Sequence, residues 1–456
     1  MLIRNARLDE GTLDLRLSGG RIVEIGRGLA GEELIDARGG AVIRGLNDHH
    51  IHLFAWAAAR ASLQLDDVGD RRELEHRLRK VSASLPQGAW LRATGLHERT
   101  CGDLDARALD AMIEGRPVRI QHRSGALWIL NSRALELVMT PDAPSGVERD
   151  GSGVPTGRLW RVDDWLSARL SGEAPDLAEA SLDLARYGVC GVTDASATNG
   201  PAAAMALARA RTCGVLRQKL RLMGRLDLPE GEAYQRGELK LLLDEADLPD
   251  FAEALAKIQE ARHCGRGSAF HCVTPTELAF ALALLDAAGP HPGDRIEHAS
   301  LAPSPAMAQL ARMGLAVVTQ PAFVFSKGER YLDEVPQEDL PDLYRLASLR
   351  AAGVRIAASS DAPYGPADPW LGIRAASERR SAAGRAVGLN EGVDALSALR
   401  LYQGPIDRPG DVAGSLRPGD VADLCVLHCP LEEALASPDA AHVAATIIDG
   451  ELVWAA

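Results

Sequence analysis

Alternating apolar and polar residues mark both ends of the chain. Residues 13–26 (LDLRLSGGRIVEIG) alternate on either side of a Gly-Gly turn, as two half-buried strands do. Residues 419–430 (GDVADLCVLHCP) and 443–456 (VAATIIDGELVWAA) repeat the pattern, and the second carries an Asp-Gly hairpin signal. We therefore predict that residues 1–45 and 401–456 pair into one small β-subdomain, a β-sandwich built from both chain termini.

A different rhythm occupies residues 46–400, where short apolar strands alternate with Ala- and Leu-rich amphipathic stretches. The predicted strands are residues 40–48, 188–196, 217–225, 238–246, 268–274, 294–300, 315–321 and 354–363. Strands separated by helical crossovers are typical of a parallel sheet. Eight of them predict an α/β fold, a closed (β/α)8 TIM barrel.

The gap after the first predicted strand is too long for a single crossover. Residues 55–188 contain a helix-like stretch at 71–85 (RRELEHRLRKVSASL) and a strand-like stretch at 88–96 (GAWLRATGL). We predict an insertion after strand one and expect it to shape specificity. One possible arrangement is that this insertion forms a cap over the barrel mouth.

Overall charge and apolar content narrow the classes of partner. With 50 basic and 63 acidic residues the formal charge is −13, which argues against a nucleic-acid partner. The most apolar run, residues 277–289, is too short to span a bilayer, and residues 1–15 lack the apolar core of a signal peptide. We expect a cytoplasmic protein that acts on a small-molecule substrate without a membrane partner. Assembly as a homodimer is left open.

Polar residues stand where the predicted barrel strands end, which is where TIM barrels carry their chemistry. They are His50 and His52 on strand one, His271 on strand five, His298 on strand six and Asp361 on strand eight. His50 and His52 are two residues apart, so in a strand both face the same ion. Each residue alone has an ordinary interpretation, a core histidine or a turn aspartate. Their shared position at one end of the barrel favours a metal site.

Lys240 lies on the fourth predicted strand among leucines (GELKLLL, residues 237–243). A buried ammonium is costly unless it is paired or chemically altered. Imidazole and carboxylate ligands suit zinc, and also iron, nickel or manganese. With Lys240 as a carboxylate-like bridge, the ligands suffice for two metals about 3.5–4 Å apart.

These motifs resemble the amidohydrolase superfamily. DHHIH (48–52), LKLLLDE (239–245), FHCVT (270–274), RIEHAS (295–300) and SSDAP (359–363) stand in that superfamily's order. The resemblance implies one or two divalent metals, zinc first, on His50, His52, His271, His298 and Asp361, with a carboxylated Lys240 if the centre is binuclear. QHRSGALWILNS, TGRLWR and SSDAPYGPADPW are most similar to the third amidohydrolase family, which includes N-substituted formamide deformylases and proteins named exoenzyme regulators.

The resemblance also implies a reaction. It is hydrolysis of a carbon–nitrogen bond in a small amide, formamide or cyclic amide by a metal-bridging hydroxide, with Asp361 moving the proton. An ester or lactone hydrolase on the same centre stays open, because a fold does not set its function. A non-catalytic metal-binding regulatory protein and a centre with one metal also stay open.

Further residues near the motifs are candidates for supporting roles. We expect Arg295 and Glu297, beside His298, and Ser360, beside Asp361, to orient ligands through hydrogen bonds. Substrate contacts are expected from His97, His122, Arg123, Trp128 and a loop at residues 323–335 (FVFSKGERYLDEV). The ordinary alternatives are barrel salt bridges for the first group and packing for Trp128.

Overall fold

The computed structural model describes residues 1–9, 11–31, 34–97, 101–170 and 175–456. In chain order its strands are β1 (Leu2–Leu8), β2 (Gly11–Ser18), β3 (Arg21–Gly26), β4 (Leu34–Asp36), β5 (Val42–Arg44), β6 (Leu46–Ile51), β7 (Leu63–Gln64), β8 (Leu91–Leu96), β9 (Val118–His122), β10 (Leu127–Leu130), β11 (Val147–Arg149), β12 (Pro155–Trp160), β13 (Val189–Asp194), β14 (Lys219–Gly224), β15 (Gln235–Leu242), β16 (Ser268–Cys272), β17 (Arg295–His298), β18 (Ala316–Thr319), β19 (Arg355–Ala358), β20 (Leu424–Leu427), β21 (Val443–Ile448) and β22 (Glu451–Ala455). They belong to two units, residues 1–53 with 177–456, and residues 54–176.

Helices connect most of these strands. In the described residues they are α1 (Leu53–Arg60), α2 (Arg71–Ser84), α3 (Ala106–Met112), α4 (Ser132–Val138), α5 (Asp163–Ser167), α6 (Ala178–Arg186), α7 (Pro201–Thr212), α8 (Phe251–His263), α9 (Pro275–Ala288), α10 (Ser304–Met313), α11 (Ala322–Glu334), α12 (Leu346–Ala351), α13 (Pro369–Glu378), α14 (Ala395–Arg400) and α15 (Leu431–Ala436). The longest of them, α2 and α9, have 14 residues. Within the described ranges, no helix has the length and apolar character that crossing a membrane requires.

Eight strands of the first unit form a parallel barrel. Their order around the sheet is β6, β13, β14, β15, β16, β17, β18 and β19. The ring is completed where the backbone N–H of Asp361 donates to the His50 carbonyl at 2.8 Å and that of His52 donates to the Ala362 carbonyl at 2.9 Å. The predicted TIM barrel is confirmed, and its parallel order brings the carboxyl ends of all strands to one end.

Burial explains why these segments are strands. Every residue of β13, β17 and β18 is buried, as expected for strands covered on both faces. Strand β17 differs in composition from β13 and β18 because it buries Arg295, Glu297 and His298 together. Such a strand must satisfy its charges inside the barrel.

Helix α9 shows how local sequence anchors the loops at the carboxyl end. The Thr274 hydroxyl accepts from the N–H of Glu277 at 3.2 Å, and the Glu277 carboxylate accepts from the N–H of Thr274 at 3.0 Å. N-capping of this kind contributes about 1 kcal/mol. The same buried carboxylate accepts from the N–H of Glu245 at 3.3 Å, so it ties together the loops that follow β15 and β16.

Two four-stranded sheets make a sandwich from the two ends of the chain. Their orders are β3-β2-β1-β4 and β22-β21-β20-β5. Ile3 and Leu15 from the first sheet share one core with Val426 and Ile447 from the second. The predicted β-sandwich from both termini is confirmed.

The predicted first barrel strand, residues 40–48, is in fact two strands. Strand β5 pairs antiparallel with β20 in the sandwich, whereas β6 pairs parallel with β13 in the barrel. Gly45 separates them, and its N–H donates to the Asp423 carbonyl at 2.8 Å. The apolar run hides this change of sheet because both strands are buried in their own sheets.

Gly45→Ala is expected to lower the free energy of unfolding by about 1–3 kcal/mol, the usual cost of overpacking. A Cβ at this position would lie 2.2 Å from the Sγ of Cys190, so the backbone has to move. Urea denaturation of the purified protein measures the effect. Gly414→Ala is the control, because a Cβ there meets nothing within 4 Å. Equal stabilities for the two variants would contradict this account of Gly45.

Residues 54–176 form the second unit around a six-stranded sheet of order β11-β12-β10-β9-β8-β7. The insertion expected at 55–188 therefore ends earlier, since residues 177–188 belong to the first unit. There α6 contacts the sandwich, where the Thr446 hydroxyl donates to the Ala185 carbonyl at 2.6 Å. Helical sequence patterns look alike on both sides of this boundary, and only packing assigns α6.

Candidate metal centre

Two histidines and an aspartate converge where β6 and β19 end. The Nε2 atoms of His50 and His52 lie 3.4 and 3.1 Å from Oδ1 of Asp361. One ligand atom from each residue lies within 4.8 Å of the other two. Oδ1 of Asp361 is buried and has no hydrogen-bond partner in the described part of the chain. A buried carboxylate oxygen facing two imidazole nitrogens suits a shared divalent cation, so these residues fit the predicted metal.

Two more histidines extend this cluster. The ring centroid of His298, at the end of β17, lies 4.9 Å from that of His50 and 4.5 Å from that of His271, near the end of β16. The structure thus brings together the imidazoles that the sequence places on three different strands, as the barrel topology requires.

Lys240 lies on β15, beside the strand that carries His271. The register pairs Lys240 with Ala269, and Leu242 with His271. The Lys240 side chain is buried, and its Nζ has no hydrogen-bond partner among the residues that the structure describes. Burial lowers the pKa of Lys240; the charge of Glu297 opposes this shift and the charge of Arg295 adds to it. Burial therefore makes the neutral amine more accessible at Lys240 than at an exposed lysine.

Burial also sets the protonation of the clustered ligands. It lowers the pKa of His50 to about 4 and that of His298 to about 3, and it holds the pKa of His271 well below its ordinary value. Burial alone would raise the pKa of Asp361, but the neighbouring imidazoles, His50 first, outweigh it and lower that pKa. Neutral imidazoles and an ionised carboxylate are the states that bind metals.

Glu297 holds the His50 ring. Its Oε2 lies 2.5 Å from Nδ1 of His50, and both side chains are at most 1% exposed. Glu297 was expected to orient a metal ligand, and its contact here is with His50; that role stays a prediction. The backbone is left-handed at His298 (φ 69°) and Ala299 (φ 47°), so the regular alternation of β17 ends there. With Nδ1 engaged, Nε2 of His50 is left for a metal.

Two of the other three rings in the cluster have similar supports. Nδ1 of His298 lies 2.8 Å from Oε1 of Gln320, whose amide donates to the Ser359 hydroxyl at 3.0 Å. Nδ1 of His52 lies 3.0 Å from the hydroxyl of Ser196. In each case the Nδ1 contact orients the ring and leaves Nε2 toward the cluster.

Ser360 secures the segment that carries Asp361. Its hydroxyl donates to Asp48 at 2.5 Å, its N–H donates to the same carboxylate at 3.1 Å, and its oxygen accepts from the N–H of Ala362 at 3.0 Å. Asp361 itself has φ 54°, a left-handed conformation that costs a non-glycine residue about 1–3 kcal/mol. The contacts of Ser360 hold the backbone in this strained state at the site.

Sequence reasoning does not single out Asp48, Ser196 or Gln320. Each stands at or just after a barrel strand, the rule that finds the histidines. A lone hydroxyl or amide is common at strand ends, however, and gives no signal of its own. Asp194 shows that a polar residue at a strand end need not orient a ligand. It also ends a strand, but its carboxylate accepts a hydrogen bond from the N–H of Leu53, at the start of α1, at 2.8 Å.

The predicted substrate contacts in the insertion have local partners within the second unit. The rings of His97 and His122 are 6.0 Å apart. Trp128 is buried and its Nε1 donates to Asp163 at 2.8 Å, which gives it a packing role. Arg123 is half-buried. Substrate contact by His97, His122, Arg123 and Trp128 stays a prediction.

The segment expected as a loop at residues 323–335 is helix α11, Ala322–Glu334. Its buried residues are Ala322, Phe323, Val324 and Gly328. Apolar and small residues at this spacing match the helical period. This corrects the sequence-based expectation for that segment.

Comparison with known proteins decides the family. A sequence model of the amidohydrolase family matches residues 33–454. The chain belongs to the amidohydrolase family. N-substituted formamide deformylase from Arthrobacter pascens is 27% identical over 514 residues, with 96% of this chain and 94% of that protein covered. YtcJ from Bacillus subtilis strain 168 is 25% identical over 482 residues, with 92% of this chain and 90% of that protein covered.

A solved structure shares the fold of this amidohydrolase. It is a metal-dependent hydrolase from Pyrococcus horikoshii OT3, with a TM-score of 0.75, 21% identity and 96% of both chains covered. As a member of its family, the amidohydrolase is a hydrolase that acts on carbon–nitrogen bonds other than peptide bonds. The cluster of His50, His52 and Asp361 offers it a metal site.

Proposed function

We propose that this amidohydrolase cleaves the carbon–nitrogen bond of a small amide, formamide or cyclic amide. The observation that carries the proposal is the convergence of ligand atoms from His50, His52 and Asp361 within 4.8 Å. The substrate class is supported by the relative named N-substituted formamide deformylase, which aligns along 94% of its length. The proposed metal ligands are His50, His52, Lys240, His271, His298 and Asp361.

The roles of the residues follow from their protonation and contacts. These residues would hold a divalent metal, with zinc as the first candidate, which would lower the pKa of a bound water toward neutrality and polarise the substrate carbonyl. Asp361 accepts a proton from the attacking water and passes it to the leaving nitrogen, as the new C–O bond forms and the C–N bond breaks. Glu297 and Gln320 hold two of the imidazoles while that proton moves.

Lys240 is proposed to act as a carbamate. Its neutral Nζ attacks the carbon of dissolved CO₂, an N–C bond forms, and one proton leaves to solvent. The product is an anionic carboxylate-like group in place of an amine that has no hydrogen-bond partner in the described residues. Burial of Lys240 supports this step, because the neutral amine is the reactive form.

Removal of metal is expected to lower amide hydrolysis more than about 100-fold, since the metal supplies several kcal/mol of stabilisation to the transition state. The protein is dialysed against a chelator and assayed before and after zinc is restored, on N-substituted formamides and on esters of matched size. Amide turnover that returns with zinc supports the proposal. Ester turnover alone would indicate an ester or lactone hydrolase, and zinc binding without turnover of either substrate would indicate a metal-binding regulatory protein.

A further inference from the structure

Two arginine–glutamate pairs lie on barrel strands, and the second of them is fully enclosed. Nη2 of Arg221 lies 2.9 Å from Oε1 of Glu238, and Nε of Arg295 lies 2.6 Å from Oε1 of Glu297. Arg295 is 1% exposed and Glu297 is fully buried. Buried ion pairs seldom stabilise a fold more than apolar residues of the same size. This pairing therefore points to a role other than stability.

Arg295 is linked to His50 indirectly, through two different groups. Its Nη2 donates to the carbonyl oxygen of His49 at 2.7 Å, which fixes the backbone just before His50. The same nitrogen donates to Oε2 of Glu297 at 3.1 Å, and that oxygen lies 2.5 Å from Nδ1 of His50. One guanidinium thus restrains both the backbone position and the ring rotation of a single ligand.

The strand register explains how these groups meet. Ala269 is paired with Lys240 on one side and with Arg295 on the other. Two residues further toward the carboxyl end, His271 is paired with Glu297. Lys240 and Arg295 therefore lie on either side of Ala269, which is small and fully buried, and Glu297 is two residues nearer the carboxyl end of its strand than Arg295.

We infer that Arg295 is a positioning residue for the metal centre, which aligns Glu297 and the His49 carbonyl so that Nε2 of His50 points at the metal. The inference rests on the proposed function. Arg295 acts through these two groups and touches no reacting atom. Loss of such support for a metal-bound histidine typically weakens metal affinity 10–100-fold.

The inference is tested by comparing the zinc affinities of the Arg295→Met and Arg295→Lys variants with that of the wild type. Competition with a chromophoric chelator gives the affinity, and thermal unfolding of the metal-free proteins gives their stability. Arg295→Lys keeps a positive charge beside Glu297, but its ammonium lacks the planar fork that meets both partners. The matched controls are Arg262→Met and Arg262→Lys, because Arg262 pairs with buried Asp294 at 2.7 Å and donates to the Ala288 carbonyl.

Both Arg295 variants are expected to bind zinc 10–100-fold more weakly, with the Arg262 variants within about twofold of wild type. If Arg295 only balances charge, Arg295→Lys binds zinc like wild type, and the inference is overturned. The lysine variant decides the case should Arg295→Met fail to fold. A wild-type protein that binds no zinc would instead overturn the proposed function, and the inference with it.

Discussion

Asp361→Asn is expected to lower kcat for amide hydrolysis by about 10²–10⁴-fold, the range that a positioned acid–base group contributes. Asparagine keeps the size of the side chain but cannot accept and return a proton. Oδ1 of Asp361 also faces Nε2 of His50 at 3.4 Å and of His52 at 3.1 Å, so the substitution removes an anionic ligand as well. Steady-state kinetics with zinc in excess measure kcat.

The control for this variant is Asp227→Asn. Asp227 is an exposed carboxylate that pairs with Arg225 at 2.6 Å. We expect its loss to leave kcat unchanged, because exposed ion pairs contribute about 0–1 kcal/mol to stability. A kcat for Asp361→Asn within tenfold of wild type would refute the proton-transfer role of Asp361.

Lys240→Ala is expected to reduce the metal content from about two ions per chain to one or fewer, with a parallel loss of hydrolysis. A carbamate on Lys240 would help to hold the second metal, and alanine has no group that can replace it. Metal analysis of the purified protein, with and without added bicarbonate and zinc, measures the change. Bicarbonate should raise the occupancy of the wild type and leave that of Lys240→Ala as it is.

Lys219→Ala is the matched control for Lys240→Ala. Lys219 lies on the neighbouring strand β14, and its Nζ is 2.6 Å from Asp423 and 2.7 Å from Asp449. Its loss is expected to affect stability and to leave the metal content intact. A wild type with one metal that Lys240→Ala retains would exclude the carbamate bridge and leave a centre with a single metal.

Periodicity located the barrel strands because each is a short buried run followed by a polar residue. The strand that ends in His271 and the one that ends in His298 were placed in this way, and β16 and β17 confirm them as strands. Where periodicity was ambiguous the prediction was less successful. The run at 40–48 concealed a change of sheet at Gly45, and residues 323–335 concealed a helix.

The supporting contacts of the site could not be predicted in the same way. Glu297 was expected to orient a metal ligand, but the sequence did not indicate which one, and its partner His50 is 247 positions away. Gln320 and Ser196 have no distinguishing pattern, although both orient a histidine. Such partners depend on the stagger of strands around the barrel, which a single sequence does not encode as a period.

By itself the sequence determined the class of fold and the set of candidate metal ligands. Burial periodicity is a local property, and imidazole and carboxylate groups at strand ends are recognisable by type. Only the tertiary structure decided which carboxylate holds which imidazole, and that Arg295 lies behind His50. These pairings depend on short hydrogen bonds between residues that are far apart in sequence. The donor and acceptor atoms come close together only when the strands form the barrel.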